Sequence, residues 1–572
     1  MNVLRGGALV CLVFAFILSS VAQQAAPGNT HSLQPLDPNQ VIPGMPTTSG
    51  APEPQSSGSL ADQARKVRVE HPPEVKMTDE QAKELFASVD KILDFASVDT
   101  GYAKRSAIKR QMVGPADIEQ FTKEQLAKAE YSQRFARAEL TMKKFGLLPR
   151  EFDLKDFLVK ATGKQVAGLY NPENKTIWLL KTVSLEHQEP ILAHELTHAL
   201  QDQNFDLKTW QQHGEKDSGN DEMATARHAI VEGQAMVVYF DYALAPYGRS
   251  LQSTPGIVAS MEEPAVQASI DTEMLHNAPM VLREAGAFPY RDGLIFEAEV
   301  LDKAGKQAAF AGVFAHPPRN THEVFDPKAY LDREKIAPVA IPDVHALLAN
   351  KYEVYDSGSF GELDVRSLLR QFGDHRTAHE LASNWQGGSY VAYKKTQSNP
   401  QPTTADLALL YVSHWKNAQA AEKFARFYAT SVARRYPGAT VQDVPACSTS
   451  PCPTGAALVS TNEGPVIVEE WPDNSIIVSE SFDRILAAKL SSAIRTARVE
   501  ERASAETGPT DSQNPSIRRH ELSPASAAAP DKGELSLRLL AMPAFLTWEE
   551  QIGADYLGAV ARQVVSKATS QP

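Results

Sequence analysis

Apolar and polar positions along the chain alternate with two periods, and they divide it into recognisable pieces. Thr78-Asp79-Glu80-Gln81 has the form of a capped helix start, and Leu85, Val89, Ile92 and Leu93 follow at helical spacing. A second helix is expected from about Thr122 to Phe145. Gln165 to Tyr170, the turn Asn171-Pro172-Glu173-Asn174, and Lys175 to Leu180 read as a β-hairpin. Leu192, Leu196, Ala199 and Leu200 then form one apolar stripe, on a helix that Pro190 is placed to open. After a polar stretch over 206–222, Arg227 to Tyr239 reads as an almost wholly apolar helix with one carboxylate, Glu232, in its middle. Tyr242 to Gln267 is broken by Pro246, Gly248, Pro255 and Gly256, and helices resume from Ala278 through Ala315.

Residues 403–496 change character. Strands are expected at Ala405 to His414, Ala456 to Val459, Gly464 to Trp471 and Ser475 to Ser479, with helices at Ala418 to Tyr436 and Ile485 to Thr496. That order, β-α-β-β-β-α, predicts a small α+β module. The fold class expected for the whole is therefore α+β: a mainly helical domain with a small sheet and edge hairpin over 76–400, then the module over 401–500. Residues 23–75 and 501–535 are rich in Pro, Ser, Ala, Gln or Gly without periodicity and read as disordered linkers. A helical segment within 536–572 closes the chain.

The helix with the apolar stripe carries His194-Glu195-Leu196-Thr197-His198, an H-E-x-x-H motif. Positions four apart share a helix face, so both imidazoles can meet one ion. Two neutral imidazoles suit Zn²⁺ and leave room for a third protein ligand and a water. Glu195 then stands beside the metal, where its carboxylate can take a proton. With 15 His in 572 residues, chance supplies roughly 0.03 such motifs in a chain of this length.

A third ligand a few residues on would need the form H-E-x-x-H-x-x-G-x-x-H. Gln201 and Asn204 stand where Gly and His are wanted, so that form fails. Glu232 is the better candidate, because a carboxylate amid Ala, Ile and Val is costly unless something positive faces it. Gly233 and Ala235 beside it permit close helix approach. His228, four residues earlier, is open to three readings: ligand, partner of Glu232, or core histidine. Asp221 and Glu222 lie in a polar stretch where a solvated carboxylate is ordinary. A second histidine pair, His375 and His379, lacks a Glu between its members and reads as a solvated helix face.

His194 to Gln203 followed by Val231-Glu232-Gly233-Gln234-Ala235 resembles the gluzincin class of zinc metallopeptidases. Within it the chain is similar to exported bacterial proteins with an AHELTHALQDQ core, a likeness that takes in Gln165 to Tyr170 and Phe288-Pro289-Tyr290-Arg291-Asp292-Gly293 and covers roughly residues 140–335. The resemblance implies a zincin-like catalytic domain with one Zn²⁺ per chain, held by His194, His198 and Glu232, and Glu195 as general base. The chain departs from the class at Met236, where many gluzincins carry an Asp that orients a zinc histidine. Either another carboxylate, Asp202 or Asp241, is then expected to supply that brace, or the site is less well braced. Tyr290, His276, His316 and His322 are the candidates to stabilise an oxyanion, with Tyr290 preferred for its place in the matching stretch.

Net charge adjusts the picture at one point. At −13 and without a basic run, the chain is not built to bind nucleic acid. Met1 to Ala22 has the form of an export signal, with Arg5, an apolar Ala8 to Leu18, and Ser20-Val21-Ala22 before a cleavage point. Export predicts a periplasmic or secreted protein with no membrane span once the signal is removed; an uncleaved N-terminal anchor is the alternative. Cys447 and Cys452 then read as a small disulfide loop in an oxidising compartment rather than a two-cysteine metal site.

These expectations converge on an exported zinc metallopeptidase acting on a peptide or protein substrate. Two alternatives stay open: a non-catalytic binding protein with a structural zinc, in which the C-terminal module does the work, and a zinc amidase acting on cell-wall material.

Overall fold

A computed structural model of the 572-residue chain describes residues 11–13 and most of 78–506. Within the latter it leaves out 115, 118–119, 122, 125–128, 162–167, 172–173, 181–184, 211–220, 262–277, 337–338, 349, 399 and 445–451. The expected linker 23–75, most of the expected linker 501–535, and the expected segment 536–572 lie outside the described residues, as does all of the export signal but 11–13.

Helix α1 (Asp79–Thr100) starts as the sequence predicts: Thr78 Oγ1 accepts from Gln81 N–H, and Gln81 Oε1 accepts from Thr78 N–H. Gly101, at φ 78°, ends it in the left-handed conformation. Its stripe of Leu85, Val89, Ile92 and Leu93 is buried. Helix α2 is Ala129–Phe145, the metal-motif helix α3 is Leu185–Phe205, and the Glu232 helix α4 is Asp221–Leu244. Helix α3 begins a turn earlier than expected and carries Pro190 inside it, where the proline has no N–H to return to the preceding turn. Helix α5 spans Met280–Ala304.

The hairpin is present. Strand β3 (Gly168–Asn171) pairs antiparallel with β4 (Thr176–Leu180), matching Leu169 to Trp178 and Tyr170 to Ile177. A third strand, β2 (Lys109–Val113), pairs parallel to β4. Its Lys-Arg-Gln-Met-Val sequence shows little strand propensity, so the pairing partner and not the local sequence makes it a strand. The short strand β1 (Cys11–Val13), from the apolar stretch of the expected signal, pairs antiparallel with the other edge of β3.

The second sheet has seven antiparallel strands in the order β5 (Tyr352–Ser359), β6 (Trp385–Lys395), β7 (Leu407–Trp415), β11 (Ser475–Glu480), β10 (Gly464–Glu470), β9 (Gly455–Thr461) and β8 (Thr440–Asp443). Between β5 and β6 lie helices α6 (Glu362–Phe372) and α7 (His375–Ala382). The strands and helices expected over 403–496 are all found, but β5 and β6 precede residue 400, where the sequence placed the boundary. That boundary falls between β6 and β7, two paired strands of one sheet.

Alternation along β7 shows how the sheet is covered. Leu409 and Tyr411 join the main core, which contains Phe424 and Tyr428 of α8 (Ala418–Arg435) and residues of α1 to α5. Ala408, Leu410 and Val412 join a second core with Leu486, Leu490 and Ile494 of α9 (Arg484–Glu506). At the end of α2, the fully buried Lys144 Nζ donates to Thr404 O (3.0 Å), Glu463 Oε2 (3.0 Å) and Ser481 Oγ (2.8 Å). The N-terminal helices are thereby tied to the sheet. Cys452 is disulfide-bonded; its expected partner Cys447 lies outside the described residues.

Candidate metal centre

Helices α3, α4 and α5 pack with little bulk between them. A Cβ on Gly233 would lie 2.3 Å from Gly293 O, and one on Gly293 would lie 2.3 Å from Ala229 O. Glycine at both positions is what lets α4 and α5 come backbone to backbone. The close approach also fixes where Glu232, the residue before Gly233, meets α3.

His194, Glu195 and His198 are fully buried on α3, and each offers a ligand atom within 4.8 Å of the others. Glu232 Oε2 lies 3.1 Å from His194 Nε2 and 3.4 Å from His198 Nε2. Both imidazoles and the isolated carboxylate of α4 thus converge, with Glu195 alongside. Glu195 Oε2 accepts from Tyr170 N–H at 2.6 Å, so strand β3 lies directly over the motif helix.

The electrostatics show a site under tension as it stands. Burial pushes the Glu195 carboxyl up to about 8, and Glu232 adds to this, against opposing pulls from His198 and the Tyr170 N–H. Burial lowers His194 to about 4, in spite of its hydrogen bond to Glu232. Burial would lower His198 too, but the Glu232 carboxylate outweighs it and holds the ring at about 9. Glu232 lies well below the usual carboxylate range: burial alone would raise it, and the two histidines reverse that.

The donor set fits a divalent cation. His194 Nδ1, Glu195 Oε1 and His198 Nε2 have no hydrogen-bond partner among the described residues. Once Glu195 and His198 give up their protons, the two carboxylates and two neutral imidazoles would carry the charge that a dication balances. Nitrogen and oxygen donors in this combination are those of catalytic zinc.

The residues bracing the motif differ from those expected. Asp202 does not touch a metal-site histidine: its Oδ2 accepts from Tyr170 OH at 2.7 Å and from Lys175, tying the hairpin to α3. Asp241 is engaged with the Leu251 N–H and Asp99. The brace is instead an amide. His198 Nδ1 lies 2.9 Å from Gln201 Oε1, whose Nε2 donates to Val231 O at 3.0 Å and Gln234 Oε1 at 3.1 Å. Gln201 follows His198 by three residues on one helix face, a spacing visible in the sequence, but an amide is not the carboxylate that the resemblance leads one to expect as the brace. Met236 is buried in the core, one turn beyond Glu232.

Of the oxyanion candidates, Tyr290 is buried with its ring stacked by His194, centroids 6.3 Å apart. His322 is paired with Glu362 through Nδ1 at 2.5 Å, His316 is exposed, and His276 lies outside the described residues. His228 is buried one turn before Glu232. Glu222 accepts from Thr321 N–H and Oγ1–H at 2.9 and 2.8 Å. His375 and His379 are exposed on α7 and line a cavity of about 290 Å³ with Arg291, Arg366 and Arg370. Arg370 pairs with Glu284, and Arg366 with Glu362.

Residues 350–476 match a family described as a domain of unknown function (DUF8575). The match covers most of the seven-stranded sheet and none of the metal-centre residues. No curated protein and no solved structure matches the chain.

Proposed function

We propose that the chain is a zinc-dependent peptidase in which His194, His198 and Glu232 hold the metal and Glu195 is the general base. The observation that carries this reading is the convergence of Glu232 with both motif histidines, with the unpartnered Glu195 Oε1 beside them. A zinc ion there supplies Lewis-acid chemistry, polarising a scissile carbonyl and making a water acidic at neutral pH.

The chain's own residues do the rest. Glu195 Oε2 is held by the Tyr170 N–H, which leaves Oε1 to accept the proton of the attacking water and return it to the departing amine. Tyr290, its ring stacked by His194, is the side chain proposed to steady charge on the carbonyl oxygen. Strand β3 lies over α3, and its edge is taken antiparallel by β1; with the signal removed, an extended peptide would join the same edge through backbone hydrogen bonds. The protein acts, on this proposal, outside the cytoplasm after export.

Full enclosure of His194, Glu195 and His198 favours a second reading, a closed structural zinc site in a binding protein. One experiment separates the two. The purified protein is incubated with a broad peptide library, with and without a chelator, and products are identified by mass. Chelator-sensitive cleavage supports the peptidase; zinc bound at one per chain with no cleavage product supports the structural site.

A further inference from the structure

We infer that Gln201 and Gln234 form a neutral amide relay that sets the orientation and tautomer of His198 toward the metal, and that Tyr102 anchors the far end of that relay. The inference rests on the metal reading of the site and adds positioning residues to it.

The relay is read by accounting for every donor and acceptor. Gln201 Nε2 has two protons, and both are used: one goes to Val231 O and the other to Gln234 Oε1. Gln201 Oε1 must therefore face His198 Nδ1, and a carbonyl-type oxygen can only accept. Nδ1 thus carries a proton whatever the charge of the ring, and Nε2 is the nitrogen that turns to Glu232 Oε2 and is free to lose its proton to a metal. Gln234 is locked in the same way. Its Nε2 donates to Ala309 O at 3.0 Å and Phe310 O at 3.1 Å, and its Oε1 also accepts from Tyr102 OH at 2.8 Å. Flipping Gln201 would set its oxygen against Val231 O and Gln234 Oε1, and flipping Gln234 would set its oxygen against Ala309 O and Phe310 O, acceptor against acceptor in each case.

Placement gives the relay its leverage. Gln201, Gln234 and Tyr102 are all buried, so water does not substitute for a lost partner. Val231 is the residue before Glu232, so Gln201 grips one histidine of α3 and the backbone beside the carboxylate of α4 together. Ala309 and Phe310 belong to a π-helical turn, Ala308–Gly312, where carbonyls leave the α-helical register and become available to a side chain. Tyr102 follows the Gly101 cap of α1, which links the N-terminal helix to the site. His194 has no such brace: its Nδ1 is without a partner among the described residues.

Two measurements test this. Zinc affinity is read by competition with a chromogenic chelator for wild type, Gln201→Met, Gln234→Leu and the double variant. Loss of such an outer partner typically weakens metal binding about 10–100-fold. Gln201→Met should fall in that range, Gln234→Leu should fall by a smaller factor, and the double variant should match Gln201→Met, because Gln234 acts through Gln201. Losses that multiply in the double variant, or an unchanged Gln201→Met, would overturn the relay. In case a variant does not fold, ¹⁵N NMR of zinc-loaded wild type reads the His198 ring directly. A protonated Nδ1 with metal on Nε2 is expected, and metal on Nδ1 refutes the relay. A wild type that binds no zinc overturns the metal reading, and the relay's role falls with it; tight wild-type binding with an unaffected Gln201→Met refutes the relay alone.

Discussion

Replacing Glu195 by Gln separates chemistry from metal binding and gives opposite signs in two assays. The proposed base loses its proton-accepting oxygen, while the amide oxygen still accepts from the Tyr170 N–H. Loss of a general base typically lowers turnover by about 10²–10⁴-fold. Stability should move the other way in the metal-free protein. The Glu195 carboxyl rises from 4.5 to about 8 on folding. A raised carboxyl adds no cost below its unfolded value, and a growing cost as pH rises from there to the folded value. At pH 7 this amounts to on the order of 3 kcal/mol, at about 1.4 kcal/mol per unit, and Gln does not bear it. Metal-free Glu195→Gln should therefore melt higher than metal-free wild type at pH 7 and no higher at pH 4. Zinc content of the loaded proteins, by metal analysis, should be equal. Chelator-sensitive cleavage in the wild type with equal cleavage by Glu195→Gln would refute the mechanism; equal melting at pH 7 would refute the electrostatic account of the buried carboxyl.

Glu232→Gln should lose zinc on dialysis under conditions where the wild type retains it, checked by metal analysis; full retention would remove Glu232 from the ligand set. Glu297 is fully buried, and burial holds its carboxyl well above the usual range against a weaker opposing pull from the neighbouring Gln234 amide, which makes no hydrogen bond of good geometry to it. Glu297→Met should thus stabilise the fold by about 1–3 kcal/mol, and the gain should widen from pH 5 to pH 8 in thermal unfolding, since the cost of a raised carboxyl grows with pH. Lys144→Met removes one cation from Glu463 and Glu480, which keep Arg150 and Arg435, and deprives Thr404 O and Ser481 Oγ of their buried donor; denaturant unfolding should show a loss of about 1–3 kcal/mol.

What the sequence made legible is what depends on local spacing. The histidine pair, Glu195 and the solitary Glu232 could be read because four-residue periodicity and a lone carboxylate in an apolar helix each have few explanations. The capping box at Thr78 and the β3–β4 hairpin are equally local. Partnerships across the chain were not legible. Strand β2 exists because β4 lies beside it, and β5 and β6 belong to the sheet through pairings such as Tyr390 with Tyr411. Gln201 was passed over because a carboxylate was expected to hold the histidine; that an amide fits depends on Val231 O and Gln234, some 30 residues away. Pro190 suits a first helical position by local sequence, yet α3 runs through it.

The architecture also weighs on whether the sheet is the working part of a binding protein. One face of the sheet continues the core of the helical half: Phe145 of α2 stacks on Phe360 at 4.6 Å and meets Tyr390 edge-on at 5.4 Å. Lys144 and the Arg370–Glu284 pair add ionic ties across the same boundary. The other face is covered by α9 through Leu486, Leu490 and Ile494. A sheet with both faces covered has its edges left to offer, and β8, at one edge, is short and exposed. The metal centre presents a different kind of feature. Glu195 is a buried carboxyl that costs stability, with one oxygen unpartnered, set against two histidines and a second carboxylate. A closed structural zinc site has no use for that fourth group, whereas a hydrolytic one needs a base at that position. On the proposed function, the stability sacrificed at Glu195 is the cost of a base rather than of a purely architectural metal.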